Sequence, residues 1–269
     1  MPHASPIPKP QSMSPTHYRL STRLARHLRS VGRHLPERSL AEQLLAAQGL
    51  PKGSWASDLL KSLLDGRFER VAAEVGLWEW KYSFPAPGEA VVVLDVETTG
   101  LSPENSEIIE LALIRLENGQ LTVFERLVNP GMPIPPFISR LTGIRNQDVR
   151  GAADIYTVLG EALPLLDNAT LIIQNAGFDL GFLQPRLRRL GYRLDNPVVD
   201  TIDWARKALP GLPKRGLDAL AWAFDLGPIA GRHRALGDVE TTLQVAREMY
   251  YMLTAGHPTP TSQLANKAR

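Results

Sequence analysis

The feature that most constrains this chain is a continuous apolar run that ends in two acids. Residues 90–97 read Ala-Val-Val-Val-Leu-Asp-Val-Glu, and a run this rich in valine is typical of a strand buried within a sheet. Side chains alternate along a strand, so Asp95 and Glu97 share one face. Carboxylates held this close repel each other unless a cation lies between them, and oxygen ligands favour Mg²⁺ or Mn²⁺ over zinc. We therefore expect a divalent metal site here; the alternative is a solvent-facing pair at the strand edge.

The composition excludes several classes of protein. Cysteine is absent, which rules out disulfides, thiolate metal ligands and a cysteine nucleophile and fits a reducing compartment. No segment approaches the roughly 20 apolar residues of a membrane span, and the proline-rich start lacks the apolar stretch of a secretory leader. We therefore expect a cytoplasmic protein that does not contact a membrane.

Positive charge is concentrated at the N-terminus. Residues 1–38 contain seven lysines and arginines and a single acid, Glu37. The first 18 residues are rich in Pro and Ser, whereas leucines at helical spacing predict a basic amphipathic helix from Tyr18 to Leu35. As a whole, residues 1–38 are interpreted as a basic, largely disordered head. Attraction to phosphate polyanions and an organelle transit peptide are the alternatives.

Residues 39–85 are expected to form a small helical region. Ser39 and Glu42 have the spacing of a capping box. Helical segments are predicted at 40–48, 57–64 and 67–75. The Pro- and Gly-rich stretch 85–88 then marks a domain boundary.

Residues 90–254 have the pattern of a separate α/β domain. Strands are predicted at 90–97, 108–116, 121–128, 170–174 and 198–199, and helices at 154–166, 178–190 and 236–253. Asn118-Gly119 joins the second and third strands as a hairpin. Three strands followed by alternating helices and strands indicate a mixed sheet flanked by helices. Residues 255–269 are expected to be a flexible tail.

Three further polar residues lie where a helix begins. Asp179 follows a short strand, and His233 and Asp238 open the last long helix. Taken singly, each acid is a typical helix cap and the histidine a structural or solvated residue. Together with Asp95 and Glu97 they form a set of four acids and one histidine at strand ends and helix starts. This set predicts a common site.

Three motifs in this order resemble a known family. They are Asp95-Val-Glu97-Thr98-Thr99-Gly100, Asn175-Ala-Gly-Phe178-Asp179 and His233-Arg234-Ala-Leu-Gly-Asp238, supported by Leu141-Thr-Gly-Ile144, Val199-Asp-Thr201 and Leu217-Asp-Ala-Leu220. Over residues 90–253 the chain resembles the DEDDh 3′→5′ exonuclease superfamily. It is most similar to the proofreading epsilon subunit of bacterial DNA polymerase III and its stand-alone relatives. The resemblance implies a ribonuclease H-like fold, to which residues 39–85 are expected to add a small N-terminal helical extension.

The same resemblance implies roles for individual residues. Asp95, Glu97, Asp179 and Asp238 would ligate two divalent cations, Mg²⁺ or Mn²⁺, with His233 as the general base. Contacts with the terminal nucleotide are implied for Val96, Thr98, Thr99, Gly100, Leu101, Asn175, Phe178 and Arg234. The chain departs from the family at Gln174, where many relatives have histidine, and this change concerns substrate detail rather than hydrolysis.

The implied function is removal of nucleotides from a DNA 3′ end, in repair or proofreading. The substrate would be single-stranded or frayed DNA, and the N-terminal region is a candidate site for a DNA polymerase or repair partner. The Leu217-Asp-Ala-Leu220 segment favours DNA over the main alternative, an RNA-directed 3′→5′ exoribonuclease. A catalytically inactive nucleic-acid-binding or scaffolding module is the remaining alternative, because a fold alone does not determine function.

Overall fold

The chain forms two compact units. A computed structural model describes residues 5–6, 13–47, 49, 55–227, 229, 231–255 and 257–265. The first unit contains the described residues up to Phe84 together with 204–227 and 247–259, and the second contains 85–203, 228–246 and the residues from Pro260 onward. The division therefore begins at the proline-rich stretch that the sequence indicates. It differs from the predicted linear domains because two later segments join the N-terminal residues.

Nine strands and eleven helices follow in chain order within the described residues, besides a short 3-10 turn at Trp78–Trp80. They are β1 (Ser5–Pro6), α1 (Pro15–Val31), β2 (Leu35–Pro36), α2 (Glu37–Ala47), α3 (Trp55–Leu63), β3 (Phe68–Val71), β4 (Glu74–Leu77), β5 (Ala90–Thr98), β6 (Ile108–Glu117), β7 (Gln120–Leu127), α4 (Pro136–Thr142), α5 (Asn146–Val149), α6 (Ile155–Leu166), β8 (Ala169–Ile173), α7 (Ala176–Arg189), β9 (Val198–Asp200), α8 (Thr201–Ala208), α9 (Leu217–Ala223), α10 (Ala235–Thr254) and α11 (Thr261–Leu264).

Helix α1, at Pro15–Val31, agrees with the amphipathic helix predicted from Tyr18 to Leu35 and shows that the head is ordered over this range. Ser14 caps it by accepting a hydrogen bond from the His17 amide at 3.4 Å, and Gly32 ends it in the left-handed region at φ 68°. Tyr18 and Leu28 are buried on its inner face. Tertiary burial of one face stabilises a helix that local composition leaves marginal. The prediction for residues 1–4 and 7–12 lies outside the described residues.

The predicted helical region 39–85 contains strands as well as helices. Helix α2 begins at Glu37, so Ser39 lies within the helix and is not its cap. The predicted helix at 67–75 is wrong, because β3 and β4 pair as an antiparallel hairpin with Phe68 opposite Leu77. Such a short apolar run fits either structure, and its pairing with a neighbouring strand decides between them. The four strands of this sheet lie in the order β1-β3-β4-β2.

A buried ionic cluster connects three elements of the first unit. Arg67, beside β3, is 2% exposed and donates to Asp65 at 2.6 Å and to Glu248 of α10 at 2.8 Å. It also donates to the hydroxyls of Ser21 and Thr22 on α1, at 2.8 and 2.9 Å. Buried charges are tolerated when each is paired and hydrogen-bonded. The cluster thus holds α1 and the last turns of α10 beside β3.

The second unit contains the mixed sheet that the sequence predicts. Its strand order is β7-β6-β5-β8-β9, with β5, β6 and β7 antiparallel and β5, β8 and β9 parallel. Asn118 and Gly119 have φ values of 50° and 77° in the β6–β7 hairpin, as a tight turn between strands requires. Apolar side chains of the sheet pack against α6 and α7. The α/β prediction is confirmed.

The segment after residue 254 differs from the predicted flexible tail. Glu89 accepts hydrogen bonds from the amides of Thr261 and Ser262, at 2.8 and 3.1 Å, and these residues begin α11. The prediction for residues 266–269 lies outside the described residues. No helix in the described ranges combines the length and the apolarity needed to cross a membrane.

Candidate active site

Two carboxylates project from the end of the central strand of the second unit. Strand β5 pairs with β8 over residues 90–93 and with β6 along its whole length, where Glu97 stands opposite Glu110. The register shifts between Glu97 and Thr98. Both Asp95 and Glu97 are half-buried. The strand thus carries its two acids beyond the last residue that pairs with β8.

Asp179 joins this strand from the first turn of α7. It is 2% exposed, and its carboxylate accepts a hydrogen bond from the backbone amide of Val96 at 3.0 Å. The turn before α7 is held by Asp200, which accepts from the amides of Asn175 and Ala176 at 3.2 and 3.1 Å. The fold of this turn therefore directs Asp179 towards β5.

His233 and Asp238 reach the site from the start of α10. The fully buried Glu110 of β6 accepts a hydrogen bond from the Ala235 amide at 2.8 Å and from Arg234 Nε at 3.0 Å. His233 has φ 62°, which is uncommon for a residue other than glycine. Glu110 thereby anchors the turn that brings His233 and Asp238 to the end of β5.

The site residues lie close together. Glu97, His233 and Asp238 each offer one potential ligand atom, and these three atoms lie within 4.8 Å of one another. Asp179 is linked to the backbone next to Asp95 through Val96. The four acids and the histidine that the sequence scatters over the chain therefore surround one end of β5.

Burial and mutual repulsion raise the pKa values of three of these carboxyls. The pKa of Asp95 is well above its usual range because of burial and then the charges of Asp179, Glu97 and Asp238. Burial, followed by the charge of Asp238, raises the pKa of Glu97 to about 7. Burial is also the main cause that raises the pKa of Asp179 to about 8. Such shifts mark a site that favours added positive charge.

Arg232 offsets part of this repulsion. Its guanidinium pairs with the Asp238 carboxylate, and its charge lowers the pKa values of Asp95 and Glu97. Nη1 of Arg232 also lies 3.2 Å from Nδ1 of His233. Arg232 therefore links the imidazole of His233 to the carboxylate of Asp238.

The end of β5 and the turn after it hold four residues that the resemblance assigns to nucleotide contact. Thr98 Oγ1 donates to the Gly100 carbonyl at 2.6 Å, and Thr99 Oγ1 accepts from the Glu107 amide at 2.9 Å. Both hydroxyls therefore also stabilise the loop. A Cβ atom at Gly100 would lie 2.6 Å from Ser106 Oγ, so a larger residue would require that hydroxyl to move. Leu101 is 84% exposed and is available to a ligand.

The other residues assigned to nucleotide contact have mixed surroundings. Val96 is 4% exposed and its side chain lies in the core. Asn175 is exposed with φ 61°. Phe178 is half-buried, with its ring centroid 5.1 Å from that of Phe182. The guanidinium of Arg234 is paired with buried Glu110, so its observed contact anchors α10, and a substrate contact stays a prediction.

Two positioning residues at this site escaped the sequence analysis. Glu110 lies within an apolar strand and gives no signal until its register opposite Glu97 is known. Arg232 directly precedes the third motif, and proximity to His233 was the signal that could have identified it. Asp200 was noted only within a supporting motif, and its support of the α7 turn becomes evident from the hydrogen bonds.

The fold and the site define the class of protein. A mixed five-stranded sheet that gathers four carboxylates and a histidine at the end of its central strand is the arrangement of a DEDDh nuclease domain. The RNase_T family model, described as exonuclease, matches residues 92–246. The chain belongs to this family.

Particular relatives share this domain. The chain is 38% identical over 159 residues to DNA polymerase III PolC-type from Caldanaerobacter subterraneus subsp. tengcongensis, a match to 59% of this chain and 11% of that protein. It is 41% identical over 154 residues to the 3′-5′ exonuclease DinG of Bacillus subtilis, a match to 56% of this chain and 16% of DinG. The matches thus span a small part of these much longer relatives.

A solved structure shows the same fold. E. coli exonuclease I in complex with a dT13 oligonucleotide aligns with a TM-score of 0.52 at 20% identity, covering 65% of this chain and 42% of that chain. The resemblance to an exonuclease family and the mixed sheet flanked by helices are confirmed by these matches. The exonuclease family to which the chain belongs is generally metal-dependent.

Proposed function

We propose that this protein is a metal-dependent 3′→5′ exonuclease that hydrolyses nucleotides one at a time from the 3′ end of DNA. The observation that carries the proposal is the convergence of four carboxylates and His233 at the end of β5. Membership of the exonuclease family and the likeness to PolC-type polymerases and DinG support the same reaction.

The donor set fits divalent cations. Deprotonated carboxylates are the ligands that Mg²⁺ and Mn²⁺ prefer, and a cation that displaces their protons relieves the repulsion that raises their pKa values. Asp95, Glu97, Asp179 and Asp238 would hold two such ions. Bound there, the ions would supply an activated water and neutralise charge on the phosphate and the departing 3′-oxygen.

His233 is the proposed general base. An imidazole titrates near neutral pH and can accept a proton from water in that range. Arg232 lies beside this imidazole and pairs with Asp238, so it holds the histidine next to the carboxylates.

The surroundings of the carboxylates support selection of a strand end. Leu101 projects into solvent directly after β5 and is placed to pack against a terminal base. Phe178, half-buried in the first turn of α7, offers an aromatic surface on which any base can stack. Single-stranded or frayed DNA is therefore the proposed substrate. A polymerase or repair partner on the N-terminal region stays a prediction.

A substrate assay tests the proposal. The purified full-length chain is incubated with 5′-labelled single-stranded DNA and with RNA of the same sequence, in Mg²⁺, Mn²⁺ or EDTA. We expect DNA to shorten from its 3′ end in steps of one nucleotide, with no shortening in EDTA. Internal cleavage, or activity that survives EDTA, contradicts the mechanism; faster shortening of RNA contradicts the substrate assignment.

Two variants separate chemistry from folding. Asp95→Ala is expected to abolish shortening, and His233→Ala to lower turnover strongly while Mn²⁺ binding persists, because the imidazole is proposed to move a proton rather than hold the ions. Calorimetric titration with Mn²⁺ measures the binding. Unchanged turnover in His233→Ala would remove this residue from the mechanism.

A further inference from the structure

A cationic surface lies in the first unit, where α1 packs beside α9. Arg19, Arg23 and Arg26 recur at spacings of four and three along α1 and so share one face. All three pair with the Asp225 carboxylate, at 2.6, 3.2 and 2.8 Å. Together with Trp222 of α9, these residues are called the α1–α9 surface.

One carboxylate does not neutralise three guanidiniums. The side chain of Asp225 is 10% exposed, whereas those of Arg19, Arg23 and Arg26 are 35%, 41% and 52% exposed. Partial burial opposes ionisation of Asp225, but the hydrogen bonds from the three arginines outweigh it and lower its pKa to about 2. The acid is therefore fully charged at neutral pH, and the excess positive charge faces solvent.

The neighbouring residues do not cancel this excess. Helix α1 carries no acid along its length, and its fourth arginine, Arg29, is paired with Glu79 and Glu248 and adds no excess charge. The other acid near α9 is Asp218, in the first turn of the helix, with Lys214 and Arg215 shortly before it in the sequence. The surface therefore attracts anions.

An exposed indole lies among these charges. Trp222 is 43% exposed, although tryptophan is usually mostly buried. The Arg19 guanidinium lies 5.1 Å from the centre of its ring, a cation–π contact that holds the side chain at the surface. Aromatic rings beside exposed guanidiniums are the combination that binds single strands, because bases stack on the ring while phosphates pair with the cations.

We propose that the α1–α9 surface binds single-stranded nucleic acid, with phosphates on Arg23 and Arg26 and a base on Trp222. Arg19 to Arg26 cover about 10 Å of helix axis, roughly three stacked nucleotides at about 3.4 Å each. An acidic protein segment would satisfy the arginines but would leave the indole without a stacking partner. The proposal rests on the proposed exonuclease function, which defines the ligand as nucleic acid. The contact that it adds lies outside the carboxylate site.

Binding without catalysis tests the surface. Fluorescence anisotropy in EDTA measures the affinity of the full-length chain for a labelled oligothymidylate of about 20 nucleotides across a salt series. We expect Arg23→Ala/Arg26→Ala to raise Kd about tenfold at low salt. The slope of log Kd against log salt should fall by about 1.4, since each phosphate contact with a single strand contributes about 0.7.

The indole has a different expected signature. Trp222→Ala should raise Kd about tenfold or more through lost stacking while the salt slope stays near the wild-type value, because no charge is removed. The matched control is Arg38→Ala/Arg193→Ala, which removes the same charge from side chains that are 92% and 86% exposed and should retain wild-type binding.

Two results overturn the proposal. The first is that Arg23→Ala/Arg26→Ala and Trp222→Ala both bind the oligothymidylate with the wild-type Kd and the wild-type salt slope. The other is competition by polyglutamate as effective as by oligothymidylate, together with wild-type affinity in Trp222→Ala, which assigns the surface to an acidic protein. Arg23→Lys/Arg26→Lys keeps both charges and should preserve the salt slope, so a folding defect in the alanine variant does not decide the outcome.

A single-nucleotide substrate separates this proposal from the exonuclease proposal. Hydrolysis of the p-nitrophenyl ester of thymidine 5′-monophosphate in Mn²⁺ requires the carboxylate site only. We expect equal rates in the wild type and the surface variants. No hydrolysis by the wild type defeats the exonuclease proposal, whereas normal hydrolysis with unchanged oligonucleotide binding in the variants defeats only the surface.

Discussion

The backbone amide of Val96 donates a hydrogen bond of 3.0 Å to the carboxylate of Asp179. This bond ties β5 to the first turn of α7 across the candidate active site. The same carboxylate is 2% exposed and has a pKa raised to about 8, mainly by burial. The side chain of Asp179 therefore has two separate properties. Its oxygen accepts the hydrogen bond from Val96, and its ionised form is disfavoured by burial.

Asp179→Asn separates these two properties. The amide oxygen can still accept from Val96, but the charge and the proposed metal ligand are lost. We expect hydrolysis of single-stranded DNA in Mg²⁺ to fall about 10³-fold or more, since a bound ion contributes several kcal/mol to such a reaction. Above about pH 8, where Asp179 is ionised, the melting temperature in EDTA should stay equal or rise, because burying a neutral amide costs less than burying a carboxylate. Activity within tenfold of wild type would contradict the assignment.

The raised pKa values predict how metal-free stability depends on pH. Glu97 and Asp179 titrate at about 7 and about 8 in the fold, whereas unfolded carboxyls titrate near about 4. The folded state thus holds protons that the unfolded state releases, and stability falls as pH rises from about 4 to about 8. Thermal unfolding in EDTA across this range should show the decline.

Cations should remove much of that dependence. Saturating Mg²⁺ replaces the protons on the carboxylates. The melting temperature should therefore change less between about pH 5 and about pH 8 in Mg²⁺ than in EDTA. Glu97→Gln should also flatten the EDTA profile, because the titrating group is gone. A profile in EDTA that rises with pH over this interval would refute the linkage.

Glu110 is predicted to position the site without entering the chemistry. It is fully buried and accepts from Ala235 and Arg234, so Glu110→Gln should cost about 1–3 kcal/mol of unfolding free energy. We expect kcat to fall because the start of α10 shifts, while KM changes little. Glu117→Gln, at the end of the same strand with its side chain 45% exposed, serves as the control and should leave both quantities unchanged.

Arg67 is predicted to dominate the stability of the first unit. Arg67→Ala would leave the carboxylate of Asp65 buried without a guanidinium and Glu248 paired with Arg29 alone. Breaking a buried pair in this way costs about 3–5 kcal/mol. Urea unfolding measures the loss. Arg38→Ala removes an arginine whose side chain is 92% exposed and should change stability by less than about 1 kcal/mol.

Much of the site could be predicted from local patterns. Asp95 and Glu97 follow a valine-rich run whose burial and alternation are readable residue by residue. The 67–75 segment shows the limit of such patterns, because Phe68 and Val75 fit a helix as well as the hairpin in which they pack. Their strand pairing depends on neighbours that periodicity does not reveal.

The sequence by itself determined the α/β class and the central strand, and it predicted a common site for the four acids and His233, because side-chain alternation and motif spacing are local properties. Only the tertiary structure decided that Glu110 and Asp200 hold the turns before α10 and α7. It likewise decided that Asp225 gathers arginines from α1. These contacts join residues far apart along the chain, and their energies depend on burial and distance, which exist only once the chain is folded.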